Sequence, residues 1–192
     1  IQGCTDNAEQ IAFRRGAIEA WLLENHISLD DLSAVVIRSS GAGLCKKGGT
    51  YLVTGKLRDG MYAAYRGSFP KAPHPSFIVL PLADEILGSR PIPIYIVDPD
   101  GVDEFQDVAY ITGHPDLPRS SGFHVLNHKA IARKASRDLG KRYEDADLVV
   151  AHMGGGISIA AHRHGQVVDS TSGGSAGEGP FGTNRTGPLP LN

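Results

Sequence analysis

The sequence of 192 residues predicts an α/β fold. Short apolar runs, Ala34 to Ile37, Ile92 to Val97 and Leu148 to Ala151, alternate with longer stretches of helical spacing. After the last run the chain changes to tight glycine turns. Composition agrees: 41% hydrophobic and 21% charged residues suit a chain with a sizeable core and exclude wholesale disorder. A net charge of −2 sets up no field that would draw nucleic acid or an anionic membrane. No apolar run approaches the roughly 18–20 residues of a spanning helix. Cys4 and Cys45 are too few for a disulfide framework, so a reducing cytosol and a cytoplasmic protein are expected.

Residues 5 to 25 read as a helix with Ile11, Ile18 and Leu22 on one face, widened by Phe13 and Trp21. Ala34 to Ile37 reads as a short buried strand ending at Arg38, followed by the flexible polar stretch Ser39 to Gly43. Residues 56 to 70 are ambiguous. Pro70, Pro73 and Pro75 impose an extended loop around His74. Ile78 to Leu87 reads as a helix despite Pro81. Ile92 to Val97 reads as a strand delivering Asp98, with Pro93 placing it near an edge. Residues 125 to 142 form a helix with Ile131, Ala135 and Leu139 at spacing four and Gly140 near its end. Leu148 to Ala151 reads as a buried strand. A meander follows, turning at Gly154-Gly155-Gly156 and again at His164-Gly165. The change from crossover helices to hairpins puts a domain boundary near residue 145.

Glycine supplies 24 of 192 residues, about one in eight against a usual share near 7%. The chain starts at Ile1 without a Met or a signal-peptide pattern and stops just after its glycine-rich segment, so it reads as an internal piece of a longer protein. Residues 1–192 expressed alone are accordingly expected to be inactive.

The segment His152-Met153-Gly154-Gly155-Gly156 is the most informative. Three glycines remove the side chains that keep an anion from backbone N–H groups, and the His152 imidazole can donate to a phosphoryl oxygen. The plain alternative is a loose hairpin with an exposed His. Gly173-Gly174-Ser175-Ala176-Gly177 matches a G-x-S-x-G nucleophile elbow. No helix-forming run follows it, however, and no His follows His164. Gly43 to Thr50 resembles a P-loop, but Gly49 stands where Lys is required. His124-x-x-x-His128 has metal-ligand spacing, but Val125 stands where a zinc hydrolase needs Glu, so an orienting or capping role is expected and no metal site is assigned. Arg38, Asp98, His152 and Arg185 each lie at a strand end or in a Gly/Pro loop, where α/β proteins place their sites.

The run from Tyr143 to Ser158 resembles the butyrate kinase branch of the acetokinase family, as does Gly177 to Gly187. Ile96-Val97-Asp98-Pro99, Val102 to Phe105 and Phe123 to Arg133 are also similar to it, in a register that holds from about residue 10 to Pro190. The resemblance implies the actin-like ATPase (ribonuclease H-like) fold. Residues 1–145 would be most of the first, acyl-substrate domain and 146–192 the start of the second. It implies reversible transfer of the γ-phosphoryl group of ATP to a short-chain carboxylate, with Mg²⁺, giving ADP and an acyl phosphate, in a homo-oligomer (dimer or higher). Arg38 would bind the carboxylate or acyl phosphate, and His74 would lie beside the transferred phosphoryl. Asp98 would belong to the catalytic centre, and His152 and Arg185 would hold the phosphoryl in flight. Gly154, Gly155 and Gly156 would cradle the nucleotide phosphates.

A carboxylate nucleophile is already ionised at pH 7, so catalysis would consist of positioning and charge neutralisation, with Asp98 serving a metal-linked water or orienting an Arg. Related readings are an acetate, propionate or branched-chain acyl kinase, a non-catalytic phosphate- or nucleotide-binding paralogue, and the Ser175 esterase. Two places depart from the family pattern. Ser39-Ser40 replace two glycines, and Pro73-His74-Pro75-Ser76-Phe77 replaces Glu-His-Ala-Ser-Asn; both line the expected acyl pocket. A phosphate loop and an adenosine-binding Gly pair would lie before Ile1 and after Asn192.

Overall fold

The computed structural model describes residues 3–68, 74–171, 180, 182 and 183. The chain divides into two compact units, Ile1–Leu44 with Thr50–Val97, and Cys45–Gly49 with Asp98–Asn192. The composition switch near residue 145 therefore falls inside the second unit.

In the first unit, helix α1 spans Asn7–Glu24, and the Asp6 side chain caps it by accepting from the Glu9 N–H. Only Ile11 of its expected apolar face is buried, packing with Ile78 and Leu82, while Phe13 and Trp21 are exposed. Three short strands, β1 (Val35–Ile37), β2 (Thr50–Leu52) and β3 (Ile94–Val97), form a sheet of order β1-β3-β2. β1 is parallel and β2 antiparallel to β3. β3 is thus central, against the edge placement that Pro93 suggested. Pro93 lies just before the strand, so its missing N–H falls outside the ladder and its carbonyl accepts from Val35 N–H at 2.9 Å. β1 is an edge strand among the described residues and exposes Val36, so it is not the buried strand expected.

The ambiguous stretch is helix α2, Gly55–Gly67. Helix α3 spans Val79–Leu87 and accommodates Pro81 in its first turn, where no intrahelical donor is needed. Ile37, Val53, Met61, Leu80, Ala83, Leu87, Ile94 and Ile96 form the core between this sheet and α2 and α3.

The second unit contains helix α4 (Val125–Asp138) and strands β4 (Leu148–Met153), β5 (Ile157–Arg163) and β6 (Gln166–Ser170). The strands form the expected antiparallel meander. His164 and Gly165, both at positive φ, close its second turn as a two-residue loop of the primed type that matches strand twist. In β4 only Val150 is fully buried. The inner face of α4 is Val125, His128, Lys129, Ala132 and Ser136, whereas Ile131 and Leu139 are exposed. The apolar spacing-four series marked the outer face because the buried polar residues have partners on the sheet and loops.

Candidate functional site

Pairing of His152 with Ser158 and Met153 with Ile157 brings β4 and β5 to the turn Gly154–Gly156. Gly154 N–H donates to the Gly156 carbonyl at 3.1 Å, so an anion cradle would rest on the N–H groups of Gly155 and Gly156. His152 Nε2 faces Gly154: a Cβ there would lie 3.1 Å from it. On the other side of the ring, Asn127 Nδ2 donates to His152 Nδ1 at 2.9 Å, which puts the proton of a neutral His152 on Nε2. Gly182, from the second glycine-rich segment, reaches the same turn. A Cβ on Gly182 would come within 2.6 Å of the Gly155 carbonyl oxygen, so only glycine permits this approach. Arg185 lies outside the described residues, as do Ser175 and the elbow-like segment around it.

His124 is the residue that sequence reasoning undervalued. Its ring stacks on His152 with centroids 3.7 Å apart and planes 9° from parallel. Both His124 Nδ1 and His128 Nε2 turn to Ser158 Oγ at 2.8 Å, so the metal-like spacing serves a shared hydroxyl. Among the described residues no group of His, Cys, Asp or Glu is arranged to hold a metal ion. Behind Ser158, His128 and His162 lie near-parallel, and His162 Nδ1 is 2.7 Å from Tyr143 Oη. Burial pushes His128 down to about 4, helped by the neighbouring His124 and His152. Burial likewise pushes His162 down to about 4, with His128 and Lys129 adding to it. Both rings are therefore neutral at pH 7.

Asp98 is buried and sits at φ +43°, a left-handed conformation that is uncommon outside glycine. It accepts from Gly49 N–H at 2.8 Å and from both terminal nitrogens of Arg133, at 2.5 and 3.1 Å. That is the geometry of a carboxylate orienting a guanidinium. Arg133 had been given no role from the sequence. A second ion pair, Lys129 Nζ to Glu104 Oε2 at 2.7 Å, is almost wholly buried. Glu104 also accepts from Gly48 and Val167 N–H, and Lys129 donates to the Gly165 carbonyl. A Cβ on Gly48 would lie 2.5 Å from Lys129 Cε and Nζ. In the P-loop-like stretch Gly48 thus permits close packing against Lys129.

In the first unit, exposed Arg38 follows β1 and contributes to the wall of a cavity of about 330 Å³ whose other lining includes Val35, Val79, Leu82 and Ile86. His74 is exposed and extended, and its Nδ1 accepts from Ser76 N–H at 3.2 Å, capping the turn Pro75–Phe77. Buried Ser39 accepts from Gly41 N–H and donates to the Ser76 carbonyl at 3.4 Å, tying the loop after Arg38 to the loop of His74. The departure from glycine at 39 therefore has a structural use. His74 and Arg38 belong to the first unit, and Asp98 and His152 to the second.

This architecture is shared with solved kinases. The crystal structure of Porphyromonas gingivalis acetate kinase superposes with a TM-score of 0.60 at 22% identity, covering 76% of this chain and 37% of that one. A propionate kinase from Francisella tularensis gives 0.60 at 19% identity, covering 82% and 41%. The fold is thus the expected α/β, actin-like ATPase type. Residues 114–190, which carry the imidazole cluster and both glycine-rich segments, match the model of the acetokinase family. A probable butyrate kinase of Clostridium botulinum (strain Alaska E43) is 40% identical over 185 residues, 95% of this chain and 50% of that protein. A probable butyrate kinase of Listeria monocytogenes (serotype 4a) is 41% identical over 186 residues, 96% and 50%. The chain spans about half the length of the curated relatives it matches.

Proposed function

We propose that the protein is a short-chain carboxylate kinase of butyrate kinase type, transferring the γ-phosphoryl group of ATP reversibly to a carboxylate such as butanoate. The observation that carries this reading is the stacked pair His124 and His152 at the rim of the Gly154–Gly156 turn, with His152 Nε2 facing Gly154. Imidazole N–H donors at that place suit an anionic group that gains charge in transfer. His152 and Arg185 would hold the phosphoryl. Arg38, beside apolar walls, would take a carboxylate with a short alkyl tail, and His74 would face the transferred group. Asp98 would act by orienting Arg133. Gly155 and Gly156 would offer N–H groups to nucleotide phosphate, with Gly154 as the space beside His152. Because Asp98 is already engaged by Arg133 and Gly49, a Mg²⁺ ion would be held chiefly by the nucleotide phosphates, where it neutralises charge. The domain division at residue 145, a cytoplasmic location and a homo-oligomeric state are part of the same reading.

The test is acyl-hydroxamate formation from ATP and butyrate by the full-length protein, with acetate and propionate in parallel. Preference for butyrate supports the reading. Preference for acetate or propionate moves it to those kinases, and no product with any acid overturns it.

A further inference from the structure

The buried side of the imidazole cluster has a definite proton arrangement. Ser158 Oγ has one proton to donate and two lone pairs to fill. Its neighbours are the backbone N–H of His124 at 3.3 Å, His124 Nδ1 at 2.8 Å and His128 Nε2 at 2.8 Å. The backbone N–H takes one lone pair. One ring nitrogen must then donate and the other accept. Two protonated nitrogens would bring three donors to two lone pairs, and two bare ones would compete for one proton. The tautomers of His124 and His128 are locked to each other.

The far end decides which way the lock is set. Tyr143 Oη, also buried, lies 2.7 Å from His162 Nδ1, the one hydrogen-bond partner it has among the described residues. A buried phenol proton needs an acceptor, and giving it to Nδ1 puts the proton of neutral His162 on Nε2. His162 Nε2 is buried without a hydrogen-bond partner among the described residues, and so is His128 Nδ1. His128 and His162 are 0% and 2% exposed, and their rings lie 12° from parallel with centroids 5.7 Å apart. His162 Nε2–H needs an acceptor and His128 Nδ1, on the adjacent ring, needs a partner; one bridging water serves both fully only when Nδ1 is bare, because a protonated Nδ1 would leave both water protons without an acceptor on these rings. Bare Nδ1 on neutral His128 requires Nε2–H, which donates to Ser158. Ser158 then donates to His124 Nδ1, and the His124 proton sits on Nε2.

We propose that Tyr143, His162, His128 and Ser158 form a proton-ordered relay, closed by one water between His162 Nε2 and His128 Nδ1, that holds His124 in its Nε2–H tautomer. These four are positioning residues. Their purpose, though not their proton order, rests on the phosphoryl-transfer reading: a fixed tautomer of the ring stacked on His152 holds the hydrogen-bonding pattern beside the glycine turn constant.

Long-range ¹H–¹⁵N correlation on the full-length protein with ¹⁵N-labelled histidine reads the tautomers directly. His124, His128 and His162 should each show a single form with the proton on Nε2. Tyr143→Phe keeps the ring and removes the phenol proton, and should turn the single His124 pattern into a mixture of tautomers. An Nδ1–H His124 in the unmodified protein overturns the relay, whether or not the variant folds. An unchanged His124 spectrum in folded Tyr143→Phe overturns it too. Hydroxamate formation by the same sample separates the two ideas. The expected spectrum without acyl phosphate from any acid sinks the functional reading and leaves the relay, whereas acyl phosphate formation with Nδ1–H His124 does the reverse.

Discussion

In the first unit the space between sheet and helices is filled by Ile37, Met61, Leu80, Leu87, Ile94 and Ile96. In the second, the inner face of α4 carries His128, Lys129 and Ser136 beside Val125 and Ala132. The second unit does have apolar clusters, around Phe105 and Phe123 and around Val150. It also buries Lys129, Asp98, His128, His162 and Ser158. The first core gains from removing apolar surface, an effect that tolerates volume-conserving changes. The second depends on each polar group keeping its partner, because a half-satisfied network is worse than an apolar one. The unit that carries the glycine turn and the imidazole pair is thus the one whose interior specifies proton positions and charge geometry.

The sharpest way to break this contrast is Lys129→Met in the full-length protein. It leaves Glu104 buried opposite an apolar side chain, with only the Gly48 and Val167 N–H groups as donors. Breaking a buried pair from one side costs about 3–5 kcal/mol. Denaturant unfolding should show a loss of that size, largely recovered on adding Glu104→Gln. A loss below about 1 kcal/mol would mean that the pair is solvated and the contrast overstated.

Acid should separate the two units without any mutation. Burial holds His128 and His162 at about 4 each in the folded protein, below the ordinary histidine value of 6.5. Below pH 6.5 the unfolded chain binds more protons at these rings than the folded one, so stability falls with pH until about pH 4 and then levels off. At pH 5 the expected loss is about 2 kcal/mol per ring. Amide exchange on β5 should therefore speed up more than on β3 between pH 7 and 5, after correction for intrinsic rates. Equal change in both strands would refute the assignment of the effect to the second unit.

The contrast also explains what was readable beforehand. The meander was legible because its turns need glycine or a primed pair, and those residues are visible one at a time. Helix α4 was legible as a helix but not in its orientation. Apolar spacing pointed to Ile131 and Leu139, because the burial of His128 and Lys129 depends on Ser158 and Glu104, which lie 30 and 25 positions away in sequence. β2 is three residues long and exists only by pairing with β3, so no local signal announced it. The same limit applied to the site. His152 could be singled out from its glycines, but the stacking of His124 on it and the Asp98–Arg133 pair arise from packing between distant segments.

His152→Ala sharpens the comparison from the functional side. His152 is half-buried at a strand end, and its Asn127 contact is exposed, so truncation should move the melting temperature by only a few degrees. If the ring donates to the transferring phosphoryl, kcat should fall roughly 100-fold or more, about 2.7 kcal/mol, with both KM values nearly unchanged. His152→Gln, which keeps a donor, should recover part of that loss. Full activity in His152→Ala would return the glycine turn to an ordinary hairpin.

The smallest effect is expected at Val36. It lies on β1 with 63% of its surface exposed, between Val35 and Ile37, which face or touch the apolar core. Val36→Thr retains the β-branched shape that suits a strand and adds a hydroxyl that water can satisfy. Stability should stay within about 0.5 kcal/mol, as for most surface changes. Ile37→Thr, one position along, puts the same hydroxyl into a core without partners and should cost at least about 2 kcal/mol. The ratio between these neighbouring substitutions measures how one-sided the first sheet is in the full-length protein. A large loss at Val36 would show that the full-length protein covers this edge, so that β1 is an interior strand there.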